Sequence, residues 1–210
     1  MKLYWSSRSP FVRKVMVVAH ELGLAGQITT ERVLVSASKP NETVMAHNPL
    51  GKLPTLILGD GQALYDSRVI CAYLASLQPQ PQLFPSAGPA RFAALRRQAL
   101  ADGLLDALLM WLMERAKPAA QQQPALIDAC RLKLGAVLDT MEKDAADRGE
   151  GGLQRAPFGI GQIATGVALA YVDFRFEPEK WRAGRPNLAA WHAPVVARPS
   201  MQATQHADVY

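Results

Sequence analysis

The sequence predicts a small α/β sandwich followed by an all-α helical bundle, and three observations carry this. Strand and helix signals alternate up to about residue 77; four prolines (Pro79, Pro81, Pro85, Pro89) then interrupt the chain; beyond them strand signals vanish and long helical periods take over. The expected division is therefore an α/β domain over 1–77, a stiff linker over 78–89 and a helical domain over 90–210.

Leu3 to Trp5 forms a short apolar strand signal. Phe11, Val12, Val15, Met16, Ala19 and Leu22 then recur at helical spacing until Gly23, with Ser9 and Pro10 placed as N-cap and first helical residue. Val33 to Val35 is the second strand candidate. Thr55 to Leu58, the turn Gly59-Asp60-Gly61 and Ala63 to Tyr65 read as a hairpin. Asp66-Ser67 then opens a helix whose apolar face is Val69, Ile70, Tyr73, Leu74 and Leu77. In the second part, Ala90–Ala116, Pro124–Arg148, Ile160–Phe174 and Asn187–Ala197 carry helical patterns, which together predict a bundle.

Composition narrows the function classes. A hydrophobic share of 49% with 20% charged residues is that of an ordinary globular chain. The net charge of +5 is scattered rather than blocked, which argues against nucleic acid. Met1 to Trp5 turns polar at Ser6, unlike a signal peptide, and the apolar run from Ala107 to Met113 is too short for a bilayer, so no membrane association and a cytoplasmic location are expected. Cys71 and Cys130 form no C-x-x-C pair, and His20, His47, His192 and His206 share no ligand spacing; no metal is expected.

Several motifs resemble, in order and spacing, those of the cytosolic glutathione transferases. They are Ser9-Pro10-Phe11-Val12-Arg13-Lys14-Val15 after the first strand, Asn48-Pro49-Leu50-Gly51-Lys52-Leu53-Pro54-Thr55-Leu56, and Leu64-Tyr65-Asp66-Ser67-Arg68-Val69-Ile70. Asp102-Gly103, Pro186-Asn187-Leu188-Ala189-Ala190-Trp191 and Arg198-Pro199-Ser200 continue the series. The likeness runs through nearly the whole chain and is greatest to bacterial members that use serine rather than cysteine. It implies a thioredoxin-like first domain, glutathione as co-substrate, an electrophilic small molecule as second substrate, and a homodimer active in detoxification.

The resemblance also implies roles. Pro54 is cis in the family, and Leu53 then offers its backbone to the cysteinyl unit of glutathione as an added strand would. Asp66 and Ser67, at a helix N-terminus, hold the γ-glutamyl end, while Lys52 is placed to meet the glycyl carboxylate. Ser9 points at the sulfur, with Ser7, and after it Ser6, as the alternative. A hydroxyl donating to a thiolate is worth about 1.5–3 kcal/mol and a helix N-terminus about 0.3–1 kcal/mol, which together bring a thiol pKa of about 8.5 down to about 7. Ser9 alone, read from the residues, is equally a helix cap.

Trp5, Arg8, Met110, Trp111 and Met113 are candidates for the electrophile pocket, or else core. Gly159-Ile160-Gly161-Gln162 departs from the family's usual Ser/Thr cap with Asp three residues on; Gln162 can still reach back to the cap amide, but Gly159, Gly161 and Gly166 suggest a looser second domain. A non-catalytic module of the same fold, binding a protein partner or hydrophobic ligand, is the alternative. A thiol oxidoreductase is disfavoured because no cysteine lies near Ser9.

Overall fold

The computed structural model describes residues 1–36, 39–78, 80 and 82–208. The chain divides into two compact units, Met1–Pro85 with Pro199–Tyr210, and Ser86–Arg198. The last segment thus groups with the first unit, whereas the sequence places it with the helices. Of the expected linker, Pro79 and Pro81 lie outside the described residues, and Pro89 already belongs to a helix.

In the first unit, β1 (Lys2–Trp5), α1 (Pro10–Glu21), β2 (Thr29–Arg32), α2 (Glu42–Met45), β3 (Thr55–Ile57), β4 (Ala63–Leu64) and α3 (Ser67–Ser76) follow in order, and α8 (Pro199–Gln202) packs on α1. The sheet order is β2-β1-β3-β4. β1 runs parallel to β2 and antiparallel to β3, and β3 antiparallel to β4. This is the thioredoxin-like arrangement expected.

The second strand is displaced from its expected position at Val33–Val35. It is built from Thr29, Thr30, Glu31 and Arg32, largely exposed because β2 is an edge strand with one neighbour. Apolar patterning therefore points past it to Val33, which instead joins Tyr4, Val44 and Ile57 in a buried cluster against which Leu53 packs. Successive β1 side chains face opposite sides, so Leu3 and Tyr4 serve separate layers, and both are buried. α1 ends where Gly23 takes φ 68°, letting Gly23 N–H reach the His20 carbonyl (3.1 Å) and Leu24 N–H the Ala19 carbonyl (2.8 Å).

The second unit contains α4 (Gly88–Arg115), α5 (Pro124–Ala146), α6 (Ile160–Arg175) and α7 (Pro186–Val196). α6 is buried along nearly all of Ile160–Val172 and packs chiefly on α4; a helix apolar on every side belongs at a centre. Arg97 of α4 grips Asp144 of α5 through Nε (2.6 Å) and Nη2 (2.8 Å), and also donates to the Gly151 carbonyl. Glu142 of α5 accepts the amides of Asn187 (3.1 Å) and Leu188 (2.7 Å), capping α7 from another helix. Burial pushes the Glu142 carboxyl up, but these bonds and the nearby Arg185 charge outweigh it and hold the group below its ordinary value. No described helix is long and apolar enough to cross a membrane.

The glycines of α6 read as looseness in the sequence, and one has a packing reason. A β-carbon on Gly161 would stand 3.1 Å from the Ala94 carbonyl oxygen and 3.1 Å from Arg97 Cβ. Arg97 is tied down, so the neighbour cannot retreat freely. Gly161→Val is expected to lower stability by about 1–3 kcal/mol, read as a lower urea midpoint with the slope unchanged; an equal midpoint would show that α4 yields.

Candidate functional site

Strand register gathers the sequence-singled residues at one end of the first unit's sheet. Tyr4 lies opposite Thr55 across the antiparallel β1–β3 pair, and Leu56 opposite Leu64 across β3–β4. The exit of β1, the entry to β3 and the exit of β4 therefore share an edge. Ser6–Ser9, Lys52–Pro54 and Tyr65–Ser67 are the segments beyond those strand ends. Two helices, α1 and α3, begin there, so their N-terminal amides and positive dipole ends rise from the same edge. Such a place suits an anion.

The three serines of the first loop are used differently. Ser6 Oγ accepts the Arg8 amide (3.3 Å), and the Ser6 carbonyl accepts the Ser9 amide (3.2 Å), closing a turn. Ser7 is buried, and its hydroxyl donates to the Ala207 carbonyl (2.8 Å) while its own carbonyl accepts the Ala207 amide (3.3 Å). Its proton is committed. Ser9 is the N-cap of α1: its Oγ accepts the Val12 amide at 3.2 Å. That bond uses a lone pair and leaves the O–H to donate elsewhere.

The second segment is held by Asn48, which is buried. Its Nδ2 donates to the Lys52 carbonyl (3.2 Å) and to Thr55 Oγ1 (3.0 Å), its Oδ1 accepts the Leu50 amide (3.1 Å), and Thr55 Oγ1 donates to the same Lys52 carbonyl (2.9 Å). A satisfied polar knot of this kind rigidifies its loop. The Leu53–Pro54 peptide is cis, as the resemblance implies, and so is Tyr65–Asp66. Among the described residues no protein group pairs with the Leu53 N–H or C=O. The Lys52 side chain is exposed.

At α3 the cap falls on Asp66 rather than Ser67. Asp66 Oδ1 accepts the Arg68 amide (2.8 Å), and Oδ2 stands 3.8 Å from Arg68 Nε. Ser67 is the first helical residue and is buried, while Asp66 remains exposed.

The electrophile candidates separate. Trp111 is core: it is 1% exposed, its ring packs 4.9 Å from that of Phe176, and Arg115 and Arg131 lie over it at 5.7 and 5.1 Å, so no face remains for a ligand. Met110 and Met113 of the same helix are exposed. Arg8 Nε pairs with Asp208 at 3.0 Å, and Trp5 is partly buried. Among the described residues no group of three or more His, Cys, Asp and Glu is placed to hold a metal. The roles of Asn48, Thr55 and residues 206–208 escaped the sequence; the first two sit inside a quoted motif, but nothing local signals the tail's return to Ser7.

Fold and site thus define a two-unit chain with a thioredoxin-like unit whose strand ends and helix starts converge, followed by a helical unit. Residues 8–77 match the family model for the glutathione S-transferase N-terminal domain, and residues 124–193 that for the C-terminal domain. The chain is 32% identical to the uncharacterized GST-like protein YibF of Escherichia coli K12, over 98% of each chain. A glutathione transferase family member from Pseudomonas fluorescens Pf-5, solved with bound glutathione, superposes with TM-score 0.92 at 37% identity over 98% of each chain. A glutathione S-transferase from Methylobacillus flagellatus KT, also with glutathione bound, gives TM-score 0.86 at 39% identity, over 98% of this chain and 99% of that one. The chain belongs to the glutathione S-transferase family.

Loss of the Ser9 cap has a cost independent of any chemistry. Ser9→Ala is expected to reduce stability by about 1 kcal/mol, and Ser9→Asn, which keeps a capping oxygen, by much less. Chemical denaturation of the three proteins measures it.

Proposed function

We propose that the first unit binds glutathione and that Ser9 activates its thiol for attack on an electrophilic small molecule. The observation that carries this reading is the division of labour among the serines: Ser9 uses only its oxygen as a cap, whereas the Ser7 proton is taken by Ala207. Ser9 can therefore cap and donate at once. Its O–H, at the start of α1, would stabilise a thiolate by a charge-assisted bond reinforced by the helix dipole. The thiolate is the attacking species, so a larger ionised fraction at neutral pH speeds the bond from sulfur to the electrophilic carbon.

Binding of the tripeptide is supported by the backbone it finds. The unpaired amide and carbonyl of Leu53 offer two hydrogen bonds in strand fashion to the cysteinyl unit, on a loop that Asn48 keeps still. The exposed Asp66 carboxylate presents a negative charge to an ammonium while still capping α3, and the amides at the start of α3 suit the neighbouring carboxylate. The exposed Lys52 side chain is available to the glycyl carboxylate. Family membership and the glutathione-bound neighbours support the same assignment. Assembly as a homodimer and location in the cytoplasm belong to this proposal and rest on the family.

Ultraviolet titration of the enzyme-bound thiolate decides the role of Ser9. Ser9→Ala and the cap-retaining Ser9→Asn are both expected to raise the bound thiol's pKa and slow conjugation, with glutathione affinity nearly unchanged; identical titration curves would move the role to another donor. Asp66→Ala is expected instead to weaken glutathione binding itself, about tenfold or more, by calorimetry. Tight binding with no turnover of any electrophile would favour the non-catalytic module.

A further inference from the structure

The first unit also contains a cavity of about 230 Å³ that the glutathione reading does not use. None of Ser9, Lys52, Leu53, Pro54, Asp66 or Ser67 lines it. Its wall on α1 is Arg13, Met16 and His20, which recur at helical spacing along one face, with His20 exposed at the rim. Trp5 adds an aromatic surface, and Ser6 and Thr30 bring hydroxyls. Among the described residues no acidic side chain lines it.

Arg13 is the unusual member. Its side chain is buried, with the residue 7% exposed; Nη2 donates to the Met201 carbonyl at 3.1 Å, and Nε has no protein acceptor. Among the described residues it has no carboxylate partner. Burial alone lowers its pKa, to about 10, with no negative charge offsetting the loss of water. A guanidinium stays charged, and a buried cation without a counter-charge is costly. The bond to the Met201 carbonyl, in the last turn of α8, occupies only Nη2 of the group. Arg13 lines the cavity, and the donor capacity of its guanidinium that Met201 does not use calls for an acceptor.

We propose that this cavity is a binding site for a small oxyanion, held by the Arg13 guanidinium and assisted by the hydroxyls of Ser6 and Thr30. The size agrees: a water occupies about 30 Å³ of liquid and drug-sized pockets begin near about 300 Å³, so the space fits an anion of a few heavy atoms. Phosphate, sulfate and a simple carboxylate share the chemistry required.

Calorimetric titration of the full chain with inorganic phosphate, sulfate and acetate, in chloride buffer of constant ionic strength, tests the site and ranks tetrahedral against planar anions. Saturable one-to-one binding of at least one of them is expected. Arg13→Lys, which replaces the fork by a point charge, should weaken it about tenfold or more, and so should His20→Glu at the exposed rim. No saturable binding by any of the three would overturn the proposal, as would equal affinity in both variants. Should Arg13→Lys fail to fold, His20→Glu and Thr30→Val carry the decision, and unchanged affinity in both overturns it. Saturating glutathione should leave the anion's affinity unchanged; its displacement would make the cavity part of the tripeptide site and the inference false.

Discussion

The antiparallel register of β1 on β3, with Tyr4 opposite Thr55, is the constraint on which the site depends. A slip of one residue would put Leu56 against the Tyr4 cluster and turn Ile57 to the opposite layer, where Leu3 and Leu56 are buried, so both packings would be lost. Because that register is fixed by burial, the residues just beyond each strand end are fixed too. Ser9 lies one short turn past β1, and Leu53–Pro54 lies directly before β3. β4, in register through Leu56 and Leu64, brings Asp66 and Ser67 to the same edge. Two helix starts then meet where three loops are held, so the candidate site is set by backbone placement more than by any unusual side chain.

Within that frame the hydroxyls are told apart by what each proton does. A serine has one proton and two lone pairs. Ser7 gives its proton to the tail, Ser9 gives only a lone pair to its own helix, and Ser6 accepts from Arg8. The same economy appears at α3, where the Asp66 carboxylate caps through one oxygen and keeps the other near Arg68 and solvent. Capping and ligand contact are not rival explanations at either helix, since each uses a different face of the same group.

Much of this was legible in the residues. Helices with a one-sided apolar period were placed to within a few residues, and the hairpin from Thr55 to Leu64 followed from its Gly59-Asp60-Gly61 turn. β2 was misplaced because an edge strand need not be apolar, and its Thr-Thr-Glu-Arg run carries no burial signal. Asp66 and Ser67 are both good caps, so composition could not choose between them. Trp111 continues the buried stripe of Leu104 and Leu108 on α4, and an apolar stripe alone does not separate pocket from core. Contacts between residues far apart in the chain, such as Glu142 with the start of α7 and Arg97 with Asp144, leave no local trace.

The return of the tail to the first loop has a consequence for how the molecule is made. Ala207 exchanges two hydrogen bonds with Ser7, and Ser200 Oγ reaches Glu21 at 2.5 Å, although some two hundred positions of chain separate the first pair. During translation residues 1–85 emerge first and can pair their strands, yet the loop at Ser7 stays unclasped until Ala207 has been made. Changes to residues 199–208 therefore act on the first unit, and a fragment ending near residue 85 would be an unfinished object rather than an independent module.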